Sequence, residues 1–153
     1  YNELLTSNTA AGLFVFDNNI PQISQGNEVL TVTHNRLSST SKLLIRCVAF
    51  LGENANSSDC VIGALFQDAN ANAIVAGVVT GQSDANNAWG SYFAAGQLLL
   101  EKAIPSGGTG NTTIQLRAGC TGAGTVRWNG ANGAATKLGN TVITSITVLE
   151  IEA

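Results

Sequence analysis

The chain has 153 residues and a net charge of −3, enough for one domain with a sizeable core. Charged residues make up 11% against roughly 25% in ordinary soluble domains, so polarity rests on Asn, Gln, Ser and Thr. This excludes the basic footprint of a nucleic-acid binder, since Arg36, Lys42, Arg46, Lys102, Arg117, Arg127 and Lys137 are never adjacent. It also leaves little repulsion between copies, so self-association is expected.

Taken in chain order, the segments are short, β-branched and separated by turn-formers. An apolar run at 13–16 precedes the turn Asp17-Asn18-Asn19, and Pro21 makes 20–23 an edge or an extended lead-in. Gln25-Gly26-Asn27 turns the chain into a strand at 28–34. The strand at 42–51 has two apolar faces. Leu44, Val48 and Phe50 share one with Arg46, and Leu43, Ile45, Cys47, Ala49 and Leu51 form the other. That pattern predicts a central strand, or one partly in a subunit contact. After a polar loop at 52–59, residues 60–66 read as its hairpin partner, and 68–72 as a second tip.

Residues 73–79 are again apolar, and 81–87 are polar and lead to Trp89. At 91–100 the Ala, Leu and Gln content suits a helix, but Gly96 and the flanking turns favour a strand. A Gly-rich stretch at 105–111 enters a strand at 112–118 with Ile114 and Leu116 inward. Residues 119–124 turn, 125–128 return, 129–140 carry turn chemistry, and a last strand spans 141–151. About eight or nine strands without a confident helix predict an all-β fold, an antiparallel two-sheet sandwich of jelly-roll type.

Cys47, Cys60 and Cys120 are odd in number and lack metal-ligand spacing. They read as reduced thiols, two or more of them buried, with a Cys47–Cys60 bridge as the alternative. No apolar run approaches the ~20 residues of a membrane helix, and no signal peptide is visible. The sequons at Asn56 and Asn111 read as chance in so Asn-, Ser- and Thr-rich a chain.

Ile20-Pro21-Gln22, Gly26-Asn27-Glu28 and Ser41-Lys42-Leu43-Leu44-Ile45 resemble the opening of a domain found in bacteriophage and prophage tail-fibre proteins. Ala64-Leu65-Phe66-Gln67-Asp68 and Asn72-Ala73-Ile74 continue the likeness, as do Leu116-Arg117-Ala118-Gly119, Asn129-Gly130, Leu138-Gly139 and the run from Ser145 to Ile151. The resemblance covers about 17–152. It implies a C-terminal fibre-tip domain at 17–153, after a lead-in at 1–16, that is jelly-roll-like, homotrimeric and placed where the fibre meets a bacterial surface glycan or protein. It implies residence in the virion after assembly in the host cytoplasm, with shaft or attachment parts upstream of Tyr1, and no membrane insertion.

Catalytic chemistry is sparse. His34 is the sole histidine and reads as a partly exposed strand-end residue. There is no Gly-x-Ser-x-Gly elbow, and Asp59, Asp68, Asp84 and Glu101 read as solvated acids rather than a glycosidase pair. Asp17-Asn18-Asn19 and Asp68-Ala69-Asn70 offer oxygens without an EF-hand pattern. Gly107-Gly108-Thr109-Gly110 lacks the lysine of a phosphate loop and reads as a tip. Arg117 reads as pairing with a carboxylate such as Glu150, and Trp128 as core.

Trp89, closely preceded by Asn86 and Asn87 and followed by Gly90, is either a sugar-stacking residue in an amide-rich loop or a cap on one end of the sandwich. With Asp84 and Tyr92 it makes up the expected ligand site. The sequence expectation is a non-enzymatic recognition module with no cofactor and no metal. The alternatives are a structural trimerisation or virion decoration module, and an accessory domain of a depolymerase whose catalysis lies upstream.

Overall fold

A computed structural model describes residues 1–4, 8–53, 60–80, 95–122, 124–129 and 141–152. Among them there are strands and no helix: β1 (Asn2–Leu4), β2 (Asn8–Ala11), β3 (Asn27–Arg36), β4 (Lys42–Glu53), β5 (Cys60–Gln67), β6 (Val75–Thr80), β7 (Ala95–Ile104), β8 (Gly110–Cys120), β9 (Thr125–Trp128) and β10 (Thr144–Ile151).

The strands form two antiparallel sheets. In the first, β4 is central: β7 lies along one edge, and β10 and then β9 follow each other along the other. β1 flanks β10 and β2 flanks β9. The second sheet has the order β3-β8-β5-β6. With β1/β2 and β9/β10 each counted as one interrupted strand, the chain crosses between sheets at every connection except the β5–β6 hairpin. This is the eight-stranded jelly roll. The residues before Asp17 supply β1 and β2, so the lead-in expected at 1–16 pairs into the first sheet.

Alternation along β4 sets the core. Leu43, Ile45, Cys47, Ala49 and Leu51 are fully buried and meet Val61 and Leu65 of β5, Ile114 and Leu116 of β8, and Ile146 and Val148 of β10. The expected β4–β5 hairpin does not form. β5 pairs with β6 and β8, because both edges of β4 are taken and its apolar face is satisfied across the core. For the same reason β9 does not return along β8 but crosses to pair with β2 and β4.

A second cluster lies on the outer side of the β3-β8-β5-β6 sheet, where Phe14 buries against Ile62, Ala64 and Phe66, with Ile23 and Ala73 alongside. The backbone of Phe14 is held by Cys120 (2.9 Å), and that of Leu13 by the Gly26 amide (2.9 Å). Gly26 is needed in this turn: its φ is +61°, and a Cβ there would lie 2.2 Å from the Phe14 ring. Arg117 does not pair with Glu150. Its guanidinium donates to the carbonyls of Gln25 (2.9 Å) and Gly26 (2.8 Å), since it sits on the outer face of β8 beside this turn.

Candidate interaction site

The outer face of the first sheet departs from the apolar-in, polar-out pattern of a sheet with one wet face. Register places Leu149, Leu44 and Ala103 in one row, Ser145, Val48 and Leu99 in another, and Phe50 beside Gln97. Leu99 is 60% exposed and Leu149 53%, while Leu44, Val48 and Phe50 are half-buried. Between the two apolar rows lies the row Thr147, Arg46 and Glu101. Here Arg46 donates to one Glu101 oxygen from Nε at 3.0 Å and Nη2 at 2.8 Å. Two exposed apolar rows flanking a single ion pair are a candidate interaction surface. Its signal was in the sequence, in the outward Leu44, Val48 and Phe50 and in the unbroken run Leu98-Leu99-Leu100.

One end of the sandwich changes character. Here β3, β5, β7 and β10 finish and β4, β6 and β8 begin, and the inward positions turn polar. His34 and Arg36 follow Leu30 and Val32 on β3, Thr112 precedes Ile114 on β8, and Glu150 follows Val148 on β10. Glu150 ties the two sheets together. Its carboxylate accepts the amides of Leu37 (3.0 Å) and Ser38 (3.0 Å), the Ser41 hydroxyl, and His34 Nε2 at 3.0 Å. The Ser41 hydroxyl most of all, then the Leu37 amide, holds this carboxyl down from 4.5 to about 2, with burial pulling the other way. His34 is thus a partly exposed residue near a strand end whose ring closes the Glu150 cluster.

Beside that cluster, Arg36, Gln67, Asp68, Asn111, Thr112 and residues 107–110 line a recess of about 280 Å³. Asp68 is already occupied, accepting the Thr113 amide at 2.7 Å and the Thr112 hydroxyl at 3.1 Å. A second recess of about 360 Å³ is lined by Val15, Asp17, Asn19, Ile20, Gln22 and Gln25. The Asp17 carboxylate is spent locally, on the Asn19 amide (2.8 Å) and the Asn19 side chain (2.6 Å). Among the described residues no group of His, Cys, Asp and Glu side chains is gathered as metal ligands, and no helix is long and apolar enough to cross a membrane.

The expected ligand residues Asp84, Asn86, Asn87, Trp89 and Tyr92 lie outside the described residues. The strand ends on either side are Thr80, paired with Cys60, and Ala95, paired with Gly52. Both sit at the end opposite the Glu150 cluster. Trp128 packs in the core, 5% exposed. The three cysteines are thiols, with Cys47 and Cys120 buried and Cys60 partly so. Burial pushes the Cys47 thiol up to about 12, which leaves it protonated and unreactive at neutral pH. No family model matches the chain, and no curated protein matches it.

Proposed function

We propose that this domain is the receptor-binding tip of a bacteriophage tail fibre, a non-enzymatic homotrimer that recognises a glycan or protein on the bacterial surface. The observation that carries the reading is the apolar outer face of the β7-β4-β10 sheet. Copies of the same chain cover this face about a threefold axis, with the sparse surface charge offering little opposition. The resemblance of the segments from Ile20 to Ile151 to fibre-tip domains supplies the biological setting. Recognition is then reversible and made of modest contacts from loops, multiplied by three copies bound to one fibre. The Trp89 loop is the first candidate, its indole stacking on a sugar ring and its amide neighbours orienting the hydroxyls.

Labelled domain added to host cells tests the reading. Saturable binding that is lost on Trp89→Ala, with the fold kept by circular dichroism, is the expected result. Binding unchanged by that substitution would remove the Trp89 loop as the site. A domain that assembles as a trimer but binds no host cell would be a structural trimerisation module instead.

A further inference from the structure

The recess at the Glu150 end of the sandwich holds a buried arginine that no carboxylate contacts as an ion pair. Arg36 is 6% exposed, and its guanidinium makes a single long hydrogen bond, Nη2 to the Pro105 carbonyl at 3.4 Å. Its Nε is cut off from solvent with no partner. Arg36 takes part in neither the His34–Glu150 nor the Arg46–Glu101 ion pair, and the carboxylate in the recess, Asp68, accepts from Thr112 and Thr113. A guanidinium stays protonated, so it cannot escape burial by losing its charge. Burying it unpaired is costly, and protein sites of this kind are completed by an anion.

The walls supply further donors. Gly107, Gly108, Thr109 and Asn111 line the same space, and among the described residues no backbone hydrogen bond engages the amides of 107–109. Gly107 lets the loop approach the arginine closely, since a Cβ there would lie 2.4 Å from Arg36 Nη1. A planar fork of N–H groups beside backbone amides matches the oxygens of a carboxylate or a phosphate.

We propose that this recess is a binding site for an oxyanion carried on a larger molecule, a carboxylate or a phosphate monoester, with Arg36 as its principal contact. The proposal goes beyond the recognition reading and depends on neither the trimer nor the host.

Isothermal titration of the intact domain with glucuronate, glucose 6-phosphate and glucose tests it. One or both anions should bind at millimolar concentration, and glucose should bind about tenfold more weakly or not at all. The tighter of the two anions identifies the natural group as carboxylate or phosphate. Binding should weaken with added salt. Arg36→Gln should reduce it about tenfold or more, whereas Lys102→Gln, which removes one exposed positive charge elsewhere on the surface, should not. Gly107→Ala is the second probe, because its methyl group displaces only the end of a flexible side chain and leaves the fold intact; it too should weaken the anion. Equal binding of glucose and the anions, wild-type affinity in both Arg36→Gln and Gly107→Ala, or no anion binding at all would overturn the proposal.

Discussion

The two outer faces of the sandwich are built from equally apolar strands and treated in opposite ways. On the second sheet, Ile62, Ala64 and Phe66 point away from the main core and would be wet, but the chain folds back and seats Phe14 on them. On the first sheet, Leu44, Val48, Phe50, Leu99 and Leu149 point outward in the same manner and no described segment of the chain covers them. The Arg46–Glu101 pair within that face is about half exposed and interrupts the apolar surface with a charge pair. The difference teaches where the described chain completes its own packing and where it leaves an apolar face open, the face that the proposed trimer would cover.

The comparison can be broken most severely at Leu99. Leu99→Asp places a charge on the edge strand of the open face, and should abolish assembly while circular dichroism and the monomer's fold stay unchanged. An assembly that survives this substitution would move the contact elsewhere. The covered face should respond in the opposite sense. Phe14→Ala removes a fully buried ring and should cost about 3–5 kcal/mol in urea unfolding, with no change in the sites that hold copies together. If Phe14→Ala instead dissociated the protein without lowering its stability, the assignment of the two faces would be reversed.

A smaller effect is expected at the seam between the sheets. The Glu150 carboxyl is held at about 2 in the folded chain against 4.5 ordinarily. A depressed carboxyl contributes stability that is fully present above the ordinary value and lost as pH falls through the folded one. Thermal melts should therefore drop between about pH 4.5 and 2, and Glu150→Gln should flatten that part of the curve. A variant with the wild-type acid slope would place the sensitivity on another carboxylate. The smallest effect is expected for Arg46→Ala. As an exposed pair its loss should cost about 1 kcal/mol or less, measured by the same melts. A larger loss would mean that Arg46 is buried in the assembly rather than hydrated.

Much of the fold was legible because alternation is a local signal. The inward set of β4 was readable residue by residue, and Gly96 was enough to favour a strand where β7 now stands. Pairing was less legible. Periodicity tells which side of a strand is buried, not which strand lies beside it, so sequence alone suggests β5 as the hairpin partner of β4 although the two face each other across the core. β1 and β2 escaped notice because they are three and four residues long and owe their form to the edges of β10 and β9. The sequence offers Glu150 as a partner for Arg117, but its actual partners include two loop amides and a hydroxyl over a hundred residues away, which no spacing rule connects. Arg36 carried no signal at all, since its isolation from carboxylates is a property of the folded end and not of its neighbours in sequence.

Light scattering of the unmodified domain at micromolar concentration tests the central claim most directly. A mass three times the 15.7 kDa of one chain, falling to a single chain on Leu99→Asp, is the result predicted by an open face made for further copies. A wild-type mass of 15.7 kDa would contradict it.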